Sequence, residues 1–209
     1  SHMTGLASNE HKTTRTVPVP FCPRPLFVLL PNVLKEAGYR TAHVDKFHVG
    51  PADVYAFNHR FGYIPNNAVA LAELTRDFLT EDSEAPFFLY YATVDPHRSR
   101  FDVEEDEGPF KANRFGNPAP GEVREGVEEV IFDPEQIVVP PFLPDTLEAR
   151  KELAQYYQST ARVDQGVGRL IEILKEAGLY DDTLIVFTAD HGMVFPGAKT
   201  TTCQAGLHV

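Results

Sequence analysis

Apolar residues fall along this chain in two rhythms, and each rhythm predicts an element. Two runs are continuous: Phe87-Phe88-Leu89-Tyr90-Tyr91-Ala92, and residues 183–189, which read TLIVFTA. Short unbroken runs rich in β-branched and aromatic residues predict strands buried on both faces. Residues 40–44 predict a third, shorter strand. The second rhythm is helical. Leu71, Leu74, Phe78 and Leu79 predict an amphipathic helix over 68–80. Leu153, Tyr156, Thr160, Val163, Val167, Leu170 and Leu174 recur at three or four, which predicts a long helix over 147–177 ended by Gly178. Pro31 opens a short helix over 31–37, at the first-turn position where proline is tolerated, and Gly38 closes it. Helices and strands alternate with no internal repeat, so the fold class is α/β.

The intervening segments set the organisation. Residues 4–26 are polar and then punctuated by Pro18, Pro20, Pro23 and Pro25, the composition of irregular chain. Residues 1–29 therefore read as an irregular N-terminal segment, with Ser1-His2-Met3 as a scar of tag removal. Residues 30–209 read as the α/β domain. Residues 99–145 are rich in proline, glycine and acid, with five carboxylates in 102–107. A loop that long inside a compact domain is usually functional, while the acidic run reads as a solvated face.

Composition narrows the class of function. The chain has 209 residues, 43% hydrophobic and 23% charged, enough for a packed core. Its formal net charge is -11, which argues against general binding to nucleic acid or to anionic membranes. A small anionic substrate stays possible, because a local cluster of cations reverses the field where it sits. Two distant cysteines, Cys22 and Cys203, form neither a disulfide framework nor a thiolate metal site. No apolar run approaches the roughly 18 residues of a membrane span. Nothing in the sequence indicates a compartment.

The chemistry gathers where apolar runs end. Lys46 and His48 follow the first strand, Asp95, His97 and Arg98 follow the second, and Asp190-His191-Gly192 follows the third. In open α/β sheets ligands bind beyond the carboxyl ends of the strands. If the strands share one parallel sheet, these groups meet at one edge, and Lys199 could add a further cation. Lysine and imidazole can hold an oxyanion, and carboxylates can hold a divalent metal.

Those same residues carry a resemblance. The segments 30–41 and 45–51 (LPNVLKEAGYRT, then DKFHVGP), 86–90 with 95–98 (PFFLY, DPHR), and 164–168 with 188–192 (DQGVG, TADHG) resemble the sulfatases of the alkaline-phosphatase superfamily. Residues 195–199 with 205–207 (FPGAK, AGL) extend the match, and the heparan N-sulfatase (sulfamidase) branch is the most similar. The resemblance implies a mixed, largely parallel sheet flanked by helices. It implies Asp190 and His191 as metal ligands, the ion being calcium. It implies Lys46, His48, His97 and Lys199 as groups contacting sulfate, nucleophile or leaving group, and a sulfated saccharide or other small anionic ester as substrate.

The resemblance also has gaps. The family's nucleophile is a formylglycine made from cysteine in a Cys-x-Pro/Ala-x-Arg motif, and two more metal carboxylates come from an Asp-Asp pair. Neither occurs in these residues, and the segments after Cys22 and Cys203 do not satisfy the motif. Thr4-Gly5-Leu6 is similar to the stretch that follows it, and Asp45 stands where the family commonly has glycine. The expectation is an incomplete sulfatase-like domain, an interior portion with impaired turnover. A sheet lacking a strand exposes an edge, which predicts a homo-oligomer. Two other functions fit the same residues: a metal-dependent phosphoester hydrolase of the same superfamily, and a non-catalytic binding or structural fragment.

Overall fold

The computed structural model describes residues 29–98, 115–119 and 121–207. Helix α1 (Leu30–Glu36) carries Pro31 in its first turn, and Gly38 follows with φ 89°. Strand β1 (Arg40–Asp45) is buried along Thr41–Val44 and occupies the centre of a three-stranded sheet ordered β2-β1-β3. Its partners are β2 (His59–Phe61) and β3 (Phe87–Ala92), both parallel to it. The six residues of β3 pair one for one with those of β1, from Arg40 with Phe87 to Asp45 with Ala92. An α/β fold with a parallel sheet is thus observed. β2 was not foreseen, because His59-Arg60-Phe61 is too short and polar to register as an apolar run.

The helix expected over 68–80 is two helices, α2 (Ala68–Glu73) and α3 (Arg76–Thr80). The side chain of Asn67 caps α2 by accepting from the Ala70 N–H at 2.9 Å. Thr75 breaks the run by turning its hydroxyl back onto the Ala72 carbonyl at 2.7 Å, a local bond that competes with helix continuation. Helix α4 (Leu147–Glu176) runs almost as expected, capped by the Thr146 hydroxyl. It packs across α2. Gly166 permits this, since a Cβ there would overlap the Ala68 side chain and crowd the Tyr91 hydroxyl.

The far half of α4 packs with β1 and α3 around Ala42, Ala72, Phe78, Leu79, Ile173 and Leu174. Its first half builds a second core with Phe115, Ile137, Leu143 and Phe195. A third cluster, Leu29, Tyr55 and Phe57, lies against Phe47, Phe88 and Tyr90 beside the end of β1. Each fully buried aliphatic side chain in these clusters stabilises by about 1.5–3 kcal/mol. No helix among the described residues is long and apolar enough to cross a membrane.

One strand expectation is overturned. Residues 183–189 join no sheet and are not buried: Leu184 is 89% exposed, Val186 73% and Phe187 77%. The run has the side chains of a buried strand, but a strand also needs a neighbouring edge for its amides and carbonyls. Among the described residues nothing supplies one. The acidic 102–107 stretch lies outside the described residues, and the described part of the long loop is irregular apart from isolated turns and a short 3-10 helix at Pro134–Gln136.

Candidate anion site

The carboxyl ends of β1 and β3 form the floor of the site. Asp45 closes β1 in the left-handed region, with φ 64°, a conformation that glycine adopts more easily than any other residue. The Lys46 amide then bonds to the Ala92 carbonyl at 3.0 Å, so the chain leaves the sheet with Lys46 at its rim. From below, Nε2 of the buried His43 donates to the Lys46 carbonyl at 3.2 Å. The His43 ring is stacked on Tyr90 and meets Phe47 edge-on. Burial among these rings lowers the His43 pKa, favouring the neutral ring that this donation uses.

Beyond β3 the chain turns through 93–98. The Thr93 hydroxyl donates to the Asp95 carbonyl at 2.7 Å, and the His97 amide closes on the Val94 carbonyl at 2.8 Å. The Val94 amide donates to Asp45 Oδ2 at 3.2 Å, which ties the two strand ends together. Burial raises the Asp45 carboxyl to about 6, with the Asp95 charge adding to the effect against the Val94 bond. Its other oxygen, Oδ1, is buried without a hydrogen-bond partner.

The third segment arrives by a different route. After the unpaired 183–189 run, the Gly192 amide bonds to the Gly206 carbonyl at 3.1 Å. A Cβ at Gly192 would collide with the Ala205 carbonyl, so this approach requires glycine. Phe195 plugs into the second core, and the Lys199 amide reaches back to the Met193 carbonyl at 3.0 Å, closing the loop that carries Lys199. Asp190 Oδ1 and His191 Nε2 lie 3.5 Å apart, and His191 Nδ1 is 2.8 Å from the Gly192 carbonyl.

Electrostatics reports which of these groups share a neighbourhood. His97 has its pKa lowered to about 4, first by partial burial, then by Lys199 and Lys46, with His48 contributing. His48 is lowered by partial burial, then by Lys46 and Lys199, while Asp190 pulls the other way. Both imidazoles therefore feel both lysines, and His48 feels Asp190. The structure brings Lys46, His48, His97, Lys199 and Asp190 together from three separate segments; His191 reaches the group beside Asp190. The cluster joins two lysines to two imidazoles whose lowered pKa values leave the rings uncharged at neutral pH, an arrangement that suits an anion.

The donors for a metal are fewer. Asp190 and His191 adjoin, but no set of three or more carboxylate, imidazole or thiolate groups gathers among the described residues. Calcium takes six to eight oxygen ligands, so these two side chains alone do not make a calcium site.

Beneath the site lies a residue that sequence reasoning passed over. Arg162 of α4 is fully buried, with Nε bonded to Asp95 Oδ2 at 2.9 Å. The helical count placed Val163 and Val167 on the core face, yet Ser159, Arg162 and Gly166 are the buried positions. The available signal was the pair of small residues flanking Arg162 one turn away on each side, which leaves room for a long side chain.

The fold is a parallel α/β sheet with lysines and imidazoles at its carboxyl rim. The family model for sulfatases matches residues 1–209, and the chain belongs to the sulfatase family. It is 38% identical over 188 residues to human N-sulphoglucosamine sulphohydrolase, covering 85% of this chain and 36% of that protein. An ulvan-active sulfatase of Formosa agariphila is 26% identical over 84% of the chain and 30% of its own length. Human iduronate 2-sulfatase is 27% identical over 61% of the chain and 26% of its own length. The chain thus spans about a third of the length of the curated relatives it matches.

Proposed function

We propose that this chain carries the anion-binding part of a hydrolase acting on sulfate esters or sulfamates of saccharides. The observation that supports the reading is that Lys46 and Lys199 both act electrostatically on His48 and His97, although the four residues come from three separate segments. The relatives named for sulfated substrates support the substrate class. Lys46 and Lys199 would hold the non-bridging oxygens, and His97 and His48 would donate N–H bonds. As an oxygen nucleophile, ultimately water, bonds to sulfur, the bond from sulfur to the leaving atom breaks and its electron pair moves onto that atom, where an imidazole N–H at hydrogen-bond distance would stabilise it. Anion binding opposes the two lysine charges and raises the imidazole pKa values, so binding is coupled to proton uptake.

No residue assigned here is the nucleophile, and the 209 residues alone are expected to turn over little. Calorimetry with inorganic sulfate, alongside release of p-nitrophenol from its sulfate and phosphate esters, tests the reading. Sulfate binding that is lost in Lys46→Ala and Lys199→Ala supports it. Preference for the phosphate ester would favour a phosphoester hydrolase, and no anion binding at all would leave a non-catalytic fragment. Asp190 and His191 are proposed as two donors toward a divalent metal, calcium in the family's pattern. Identical calcium heats for the wild type and Asp190→Ala would remove that assignment. The exposed 184–187 run further supports self-association of this chain through an unpaired edge, which a monodisperse monomer in sedimentation would overturn.

A further inference from the structure

We infer that Arg162 is a positioning residue for His97, acting through Asp95; the inference rests on the anion-site reading and names what aims one of its groups. Arg162 spends its whole guanidinium inside the protein. Besides Nε on Asp95 Oδ2, Nη2 contacts Asp95 Oδ1 at 3.3 Å, the Phe115 carbonyl at 2.8 Å and the Ser159 hydroxyl at 3.1 Å. Nη1 contacts Asn117 Oδ1 at 2.7 Å and Glu129 Oε2 at 3.3 Å. Asp95, 4% exposed, also accepts from Asn66 Nδ2 at 2.6 Å and from the Ser159 hydroxyl at 3.0 Å. Both carboxylate oxygens are therefore oriented from α4, and Asn66, just before α2, adds a further donor to Oδ1.

The placement of this pair is what points to the site. Asp95 lies two residues before His97 in a turn that is closed by short-range bonds and tied to Asp45. Three residues beyond Asp95, Arg98 pairs with Glu152, again on α4. The turn is thus pinned to one helix on both sides of His97, which is exposed, has its ring bonded to the Arg98 backbone and feels the charges of Lys199 and Lys46. A buried ion pair is a poor device for stability alone, since apolar residues of equal volume often do as well. A forked guanidinium on a carboxylate does something an apolar pair cannot: it fixes orientation.

The test uses the 209-residue chain with inorganic sulfate as probe. The readouts are calorimetric affinity and the NMR titration midpoint of the His97 ring, both taken where circular dichroism shows the fold intact. Arg162→Lys keeps the charge and loses the fork. It is expected to weaken sulfate binding by roughly tenfold, as misplacement of a binding group does, and to move the His97 midpoint up toward the ordinary imidazole value. Ile173→Val, in the far core of α4, lowers stability and is expected to move neither. An Arg162→Lys protein with wild-type affinity and midpoint overturns the inference, and so does an Ile173→Val protein that shifts both as much. If Arg162→Lys does not fold, Ser159→Ala decides. It removes one donor to Asp95, and an unmoved His97 midpoint overturns the inference. Should the wild type bind no sulfate, the anion-site reading falls on its own, and the midpoint still judges Arg162.

Discussion

Residues 87–98 and 183–192 begin as near twins in sequence, an apolar run followed by an aspartate and a histidine, and end as opposites. The first run becomes β3, paired along its whole length with β1, and its Asp95 is buried against Arg162. The second stays unpaired, with Phe187 77% exposed and the Asp190 side chain 64% exposed. Side-chain pattern states what a segment can bury. Whether it becomes a strand depends on whether another backbone offers an edge, and whether its aspartate is held depends on a cation waiting in the core. β3 has both, and 183–192 has neither among the described residues.

The largest effects should fall where the two regions differ most. Arg162→Met leaves Asp95 as an uncompensated buried carboxylate and should cost about 3–5 kcal/mol in urea unfolding. The matching change in the other region, Asp190→Asn, removes an exposed charge and should stay within about 0.5 kcal/mol. Equal losses at both positions would erase the contrast. Next come the lysines that bridge the regions, Lys46 beside β3 and Lys199 beyond Asp190. If each makes a charged hydrogen bond to a bound sulfate, alanine at either should weaken binding by about 1.5–3 kcal/mol. Loss at Lys46 alone would confine the site to the first region.

Acid separates the two strand-end groups of the first region. His97 titrates near 4 in the folded chain against an ordinary 6.5, so between those values the unfolded chain binds more protons. Its contribution to stability therefore falls as pH is lowered through that window. Asp45 titrates near 6 against 3.8, so there the folded chain binds more protons, and its contribution rises as pH falls below 6. The two oppose each other between about pH 4 and 6, and solvent screening trims both, since both side chains are partly open. Asp45→Asn should steepen the acid loss of stability, and His97→Gln should flatten or reverse it. Urea midpoints at pH 4.5, 5.5 and 7 would show the signs, and the same slope in all three proteins would refute the assignment.

How far the sequence could be read follows from the same physics. Strand β3, the ends of α1 and α4, and the parallel α/β class were legible because local pattern and tertiary burial agree there. The glycines after α1 and α4, with φ of 89° and 70°, sit where the helical rhythm stops. The break between α2 and α3 was not legible, because one threonine hydroxyl decides it. The gathering of Lys46, His48, His97 and Lys199 could be guessed from their places at run ends. Their support could not: Asp95 counted only as one of the strand-end groups, and Arg162 lies off the apolar rhythm that marks the long helix. A buried ion pair is invisible to hydrophobic periodicity, which counts its members as polar and assigns them outward. The 183–189 run fails for the converse reason, since pattern carries no information about a missing edge.

The smallest effect is the sharpest check on that last point. Phe187→Thr replaces a large apolar side chain that is 77% exposed with one that keeps β propensity and adds a hydroxyl. In a buried strand the loss of such a ring costs several kcal/mol; here the stability of the chain should change by no more than about 0.5 kcal/mol. What should change is association. An exposed apolar strand with unpaired amides is a template for pairing, so the substitution should lower the fraction of oligomer at a given concentration. Hydrogen exchange gives the backbone side of the same argument: amides of 184–188 should exchange far faster than those of 88–92 when the chain is dilute. Protection at 184–188 that grows with concentration, and is lost in Phe187→Thr, would mean that a second copy supplies the absent edge. Protection that is strong at every dilution would mean that the segment is paired within the chain, and the contrast with β3 would be gone.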